Sequence, residues 1–225
     1  MGEEPKPAQV ADAAADARAR RKPGLGRAWW RRTLRIVWAP RSVLVALRET
    51  DEDDEAARQE PILAIVILAG MAAILMQGGT VVDDPSVDLL VGAVVTYVAG
   101  AVYGAAGYLV LGLGVQLGIR GAGAETTFRR ARHLVAFSAV PVAASFLLLA
   151  PVVTAGYGSS YFRGHAPDSS RAVVLSLGLP FVAWAAALLV AGLRVTHRLS
   201  WAGVATAAAL TAVFVAAFVM LPVLL

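Results

Sequence analysis

Five long apolar stretches within residues 61–225 constrain this chain more than any other feature. A helix needs about 20 mostly apolar residues to cross roughly 30 Å of hydrocarbon. The stretches cover residues 61–77, 89–118, 134–155, 173–193 and 201–225. The first is slightly short unless Ala56 and Ala57 extend it. The second reaches about 45 Å as a helix, so it must tilt or protrude. A transmembrane barrel would instead need strands of about ten residues with alternating polarity. These runs are almost continuously apolar and rich in Ala, Val and Leu. The pattern predicts an all-α, polytopic integral membrane protein: a five-helix transmembrane bundle.

Composition agrees. Hydrophobic residues make up 58% of the chain and charged residues 16%, against about 45–50% and about 25% in soluble domains. With no cysteine, disulfides, thiolate metal sites and lipidated thiols are excluded. Arg outnumbers Lys by 18 to 2 and Asn is absent. This bias fits a GC-rich bacterial genome and a bacterial cytoplasmic membrane.

Charge is divided unevenly. Residues 1–60 hold 12 of the 20 Lys+Arg and 11 of the 16 Asp+Glu. Residues 1–25 are Ala-, Pro- and charge-rich, with no apolar run. They are expected to be a disordered cytoplasmic tail without a signal peptide. Residues 26–60 comprise a mixed segment and an acidic linker. In the segment, Trp29, Trp30 and Trp38 alternate with Arg31, Arg32 and Arg35. Aromatic and basic residues together suit helices lying in the headgroup plane. Two N-terminal amphipathic interfacial helices are expected, over 28–38 and 40–49, touching anionic lipid headgroups. The run from Asp51 to Glu55 reads as a solvated linker, since nothing near it supplies a cation cage.

The connections between stretches give an orientation. Residues 78–88 carry Asp83, Asp84 and Asp88 with no base, and residues 156–172 carry Arg163 and Arg171. Residues 119–133 carry Arg120, Arg129, Arg130 and Arg132, and residues 194–200 carry Arg194 and Arg198. The positive-inside rule then places the N-terminus in the cytoplasm and the C-terminus outside.

No acidic or basic residue falls well inside any stretch, which argues against an ion-coupled pump. Within the second stretch, Gly100 and Gly104 form a GxxxG and Gly107 follows. Such small residues let a neighbouring backbone approach closely, within the bundle or in a homo-oligomer or partner contact. Pro141 and Pro180 are expected to kink their helices. Ser138 and Ser176 stand ready to re-satisfy freed backbone groups. His133, His165 and His197 are split between the two sides on this topology, so no metal triad is expected. There is no GxSxG, HExxH or P-loop. No enzyme, cofactor or nucleic-acid partner is expected.

The stretch RIVWAPRSVLVALRE, with its Trp38-Ala39-Pro40 turn, resembles the opening of bacterial members of the Yip (Ypt-interacting protein) family. The Gly-rich GYLVLGLGVQLGIRGAGAETTFRRARHLVAFSAVP, ending in Ser138-Ala139-Val140-Pro141, is similar to that family too. The resemblance covers roughly residues 35–225. It implies five spans, a cytoplasmic N-terminus and a non-catalytic role in membrane organisation or trafficking of membrane components. Eukaryotic relatives work with prenylated small GTPases. Their acidic and Tyr-Gly motifs have only Tyr103-Gly104 as a counterpart here, so no GTPase partner is carried over. A small transporter or permease subunit for an apolar or lipid-like substrate is the alternative.

Overall fold

The computed structural model describes residues 35–36, 38–48, 59–78, 88–162 and 167–224. These residues form helices and short connections only. In chain order the helices are α1 (Pro40–Arg48), α2 (Gln59–Met76), α3 (Leu89–Gly121), α4 (Phe128–Ser138), α5 (Val140–Gly156), α6 (Ser159–Phe162), α7 (Asp168–His197) and α8 (Trp201–Leu224). Three stretches are long and apolar enough to cross a membrane: Leu89–Gly121, Phe128–Gly156 and Asp168–His197. Ile62–Met76 and Trp201–Ala217 are apolar but shorter.

Helix α2 is the hub, packed against α3, α4, α5 and α7. Helix α8 lies mainly on α3, while α7 contacts α5, α4 and the short α1. Helix α1 buries Val43 and Leu44 and leaves Arg41 and Ser42 exposed. The outer surface is largely apolar. Leu90, Val94, Val98 and Val102 of α3 are exposed, as are Leu147 of α5 and Leu175, Leu179 and Trp184 of α7. In water such a surface would be a severe liability, but lipid solvates it without penalty.

Connections pair up at two ends. His197, at the end of α7, interacts with the Glu125 backbone and with Arg130. The α3–α4 and α7–α8 connections therefore share one end. At the other end the Tyr161 hydroxyl of α6 donates to the Leu75 carbonyl in the last turn of α2. An aromatic cluster fills that end. Tyr97 meets Phe146 and Phe162 edge-on at 5.4 and 6.1 Å, and Tyr161 stacks on Tyr157 at 5.9 Å.

Two details depart from the reading of the sequence. The third apolar stretch is not one helix, since α4 stops at Ser138 and α5 starts at Val140, with Ala139 between them. Pro141 is the cause. It stands in the first turn of α5, where a missing N–H costs nothing, and it cannot extend α4. The second departure is where α4 begins. Arg129, Arg130 and Arg132 are helical residues rather than loop residues. Helix α3 ends early enough for this because Gly123 takes φ +82. The Gly123 N–H then reaches the Arg120 carbonyl at 3.0 Å and the Ala124 N–H reaches Ile119 at 3.1 Å. This pair of bonds is a Schellman closure. Thr127 opens α4 by accepting from the Arg130 N–H at 3.3 Å.

Candidate functional site

The broken helix α4–α5 borders a cavity of about 410 Å³ between α2, α3 and α7. Its construction begins with three glycines. A Cβ on Gly70 of α2 would collide with the Gly100 carbonyl oxygen and the Gly104 Cα. A Cβ on Gly104 would collide with the Val66 carbonyl oxygen, and one on Gly100 would stand 2.7 Å from the Met71 Cα. Backbone thus meets backbone where α2 crosses α3. One turn further along α3, a Cβ on Gly107 would meet nothing within 4 Å. The helices have parted there, and Gly107 faces the open space.

Of the three glycines singled out in the sequence, two make a seam inside the chain and the third lines the cavity. Pro141 sits buried at the α4–α5 break. Helix α7 runs through Pro180 without interruption, and the turns just beyond it supply Val182, Ala185 and Leu189 to the cavity wall. Arg35 and Trp38 are exposed, Trp38 at 87%. Trp29, Trp30, Arg31 and Arg32 lie outside the described residues, as do His165 and the acidic run from Asp51 to Glu55.

The walls are nearly all aliphatic, and the three polar groups have tasks of their own. Ser138 donates to the Leu134 carbonyl at 2.8 Å, inside its own helix. Tyr103 accepts from the Gln77 amide at 3.3 Å. Tyr108 carries the Arg132 guanidinium over its ring, 5.9 Å from the centroid. Tyr103 and Val182 line the cavity and are also exposed on the outside. The cavity therefore opens sideways between α3 and α7, which hardly touch each other. A second cavity of about 540 Å³ adjoins it toward α8, sharing Leu111, Ala186 and Leu189. Among the described residues no group of three His, Cys, Asp or Glu stands close enough to hold a metal ion. Volumes of about 300–1,000 Å³ with apolar walls are typical of small-molecule pockets. This one is suited to hold an apolar chain.

Around these walls the family signature runs almost end to end. The Yip1 domain pattern matches residues 36–223. The chain belongs to the Yip1 domain family. No curated protein and no solved structure matches it. The cavity, the glycine seam and the α4–α5 break all lie inside the matched Yip1 domain, which begins just before α1 and ends in the last turn of α8.

Basic charge in this Yip1 domain is concentrated at one end, which also holds Glu60 and Glu125. Arg120, Arg129, Arg130, Arg132, Arg194 and Arg198 belong to the end shared by the α3–α4 and α7–α8 connections. Asp88 precedes α3 and Asp168 begins α7 at the opposite end, with Arg171 close by. At the basic end Arg194 lies over the Trp201 ring at 4.2 Å. Arg120 donates to the Thr126 carbonyl at 3.4 Å. With its amide turned to satisfy both ends, Gln116 accepts from Arg120 at 3.1 Å and from the Phe128 N–H at 3.3 Å. That last contact registers α4 antiparallel along α3.

Arg132 was missed by sequence reasoning. It reads as one of several loop arginines, but it lies alongside α3 at Gly112. A Cβ on Gly112 would stand 2.8 Å from the Arg132 Cβ. Gly112 is nine residues before the end of α3, about 14 Å inward along the axis. The guanidinium lies over the Tyr108 and Phe128 rings, 5.5 Å from the latter, and its Nε is buried without a hydrogen-bond partner. A signal was available. Arg132 is four residues after Phe128 and three or four before Val135 and Ala136, so all share one helical face.

Proposed function

We propose that this Yip1 domain protein is a five-pass protein of the cytoplasmic membrane. Its N-terminus is cytoplasmic and its C-terminus is outside. Its role is non-catalytic: it organises or scaffolds other membrane components. The observation that carries this reading is the collection of six arginines at one end of an apolar helical body. The positive-inside rule turns that asymmetry into an orientation. We propose two interfacial helices on the same leaflet, over 28–38 and 40–49, with Trp29, Trp30 and Trp38 at headgroup level and Arg31, Arg32 and Arg35 against anionic lipid. The Gly100–Gly104 pair is occupied by α2, so association with partners or a second copy falls to other faces.

Reporter fusions at residues 82, 126, 165 and 225 test the topology. Cytoplasmic activity is expected at 126 alone, and cytoplasmic activity at 225 refutes the orientation. Stable co-isolation of specific membrane proteins in mild detergent, without solute flux in liposomes, is the result expected of a scaffold.

The cavity favours a second reading, in which the protein is a small transporter or permease subunit for an apolar or lipid-like substrate. Its lateral opening between α3 and α7 is the specific support. Substrate-dependent uptake that Pro141→Leu abolishes selects this reading over the scaffold.

A further inference from the structure

We propose that the cavity between α2, α3 and α7 holds one acyl chain of an anionic phospholipid, with its phosphate on Arg132. The inference deepens the membrane reading above and rests on the chain spanning a bilayer.

Three observations converge. Arg132 is the first. Its Cβ packs about 14 Å inward along α3, and its buried Nε has no hydrogen-bond partner. A buried guanidinium nitrogen without a hydrogen bond is costly, and it calls for an acceptor. Asp88 and Asp168 stand at the opposite end, and Glu125 is exposed on the α3–α4 connection. Glu60, in the first turn of α2, is the other described acid at the Arg132 end, yet the Arg132 Nε is left without a hydrogen bond. The guanidinium carbon lies over the Tyr108 and Phe128 rings, 5.9 and 5.5 Å from their centroids. The buried Nε–H remains for an oxyanion, and the guanidinium fork matches a phosphate.

The second observation is adjacency. Tyr108 lines the cavity and carries Arg132 on its ring, while Val135 and Ala136, one turn on from Arg132, form the same wall. Charge and apolar space thus meet end to end, as headgroup and tail do. The third is access. Tyr103 and Val182 are both lining and exposed, so the cavity opens toward lipid rather than toward water. Basic pockets between spanning helices on the cytoplasmic side recognise anionic headgroups, and the six arginines assign Arg132 to that side. A zwitterionic lipid would bring its own cation to the guanidinium and lose the advantage.

The test is native mass spectrometry of the full chain in mild detergent, with phosphatidylglycerol or phosphatidylcholine added. Wild type is expected to retain one phosphatidylglycerol per chain and to discriminate against phosphatidylcholine. Arg132→Gln should lower phosphatidylglycerol retention by about tenfold or more, the loss expected of a charge-assisted hydrogen bond. Arg198→Gln, at an exposed arginine of the same end, should retain it. Gly107→Phe should abolish it by filling space that is open beside Gly107. Thermal unfolding confirms that each variant is folded. Should Arg132→Gln not fold, the wild-type preference and Gly107→Phe decide the matter.

Equal uptake of the two lipids by wild type overturns the proposal. So does undiminished retention by folded Arg132→Gln or by Gly107→Phe. A wild type that takes up no phosphatidylglycerol overturns it as well, and points to another occupant such as the chain's own residues 1–34. None of these results alters the reporter-fusion outcome, so this inference can fail while the five-pass reading stands.

Discussion

The Tyr161 hydroxyl donates to the Leu75 carbonyl at 2.5 Å, across 86 residues of sequence. It satisfies a carbonyl in the last turn of α2, where no intrahelical donor remains. The Gly78 N–H shares that carbonyl at 3.1 Å. Gly78 takes φ +106, and a Cβ there would stand 2.8 Å from the Arg171 Nε. A cation at a helix C-terminus is electrostatically favourable. Phenol, backbone turn and guanidinium together hold the end of α2. Tyr161→Phe should therefore lower stability by about 1 kcal/mol, read as a lower Tm in detergent. The Gly78 bond keeps the carbonyl partnered and the loss modest.

The same phenol predicts a pH dependence. Burial raises the Tyr161 pKa to about 12, against the opposing pull of Arg171. A group whose folded pKa is raised gives stability that is complete below its unfolded value. That stability is lost as pH rises through the folded value. Tyr161 should thus favour folding fully below pH 10 and lose its contribution toward pH 12. Ultraviolet titration of phenolate should show a late component in wild type that is diminished in Tyr161→Phe. A Tyr161→Phe trace superimposable on wild type would refute the assignment.

Gly104 and Gly107 are three residues apart on α3 and should respond oppositely to the same change. Gly104→Ala forces a Cβ onto the Val66 carbonyl oxygen. Overpacking of this kind costs about 1–3 kcal/mol. Gly107→Ala meets open space, and replacing a mid-helix glycine with alanine stabilises by about 0.5–1 kcal/mol. Thermal denaturation in detergent should move Tm down for the first and up for the second. Equal shifts would mean that the seam with Gly70 is absent.

The apolar helices were legible because length and hydrophobicity are written locally, although only three of the five runs fall in helices long enough to cross a membrane. Partners were not. Gly100 and Gly104 announce a close approach without saying whose backbone arrives, and Gly70 carries no pattern of its own. The α4–α5 break was half visible. Pro141 foretold a disturbance, but not that it would open a new helix with Ala139 as the joint. Arg132 was the least legible. Its depth follows from the register that Gln116 and Phe128 fix between α3 and α4, and a count of loop charges carries no register.

Helix α8 is held chiefly by α3, and one side chain joins them. The Thr211 hydroxyl donates to the Gly114 carbonyl of α3 at 3.1 Å and to its own Ala207 carbonyl at 2.7 Å. Gly118 permits the approach, since a Cβ there would collide with the Ala207 carbonyl oxygen. Thr211→Val keeps the shape and removes the bond, and should cost about 0.6 kcal/mol, the average for such contacts between spanning helices. Gly118→Leu drives the helices apart and should do far more. A protease site appended after residue 225 should be cut faster in Gly118→Leu than in Thr211→Val or wild type. Equal rates in all three would show that α3 does not retain α8.

Trp38 offers the most direct check on the interfacial segment. It is 87% exposed, beside exposed Arg35, while Ile36 nearby is fully buried in the core cluster with Val43 and Ile62. A large indole left outside by a segment anchored through its other face is placed to rest among headgroups, where Trp is favoured. Brominated lipids quench tryptophan at the depth of the bromine. Comparison of wild type with Trp38→Phe in phosphatidylglycerol vesicles isolates the Trp38 signal from the chain's other tryptophans. That signal should be quenched most strongly by bromine near the headgroups and weakly by bromine near the chain ends. Adding Arg35→Gln should weaken the contact by about 1 kcal/mol, the usual worth of one basic residue at an anionic surface. A Trp38 signal insensitive to bromine at every depth would place the indole in water and remove the basis for an interfacial N-terminal segment.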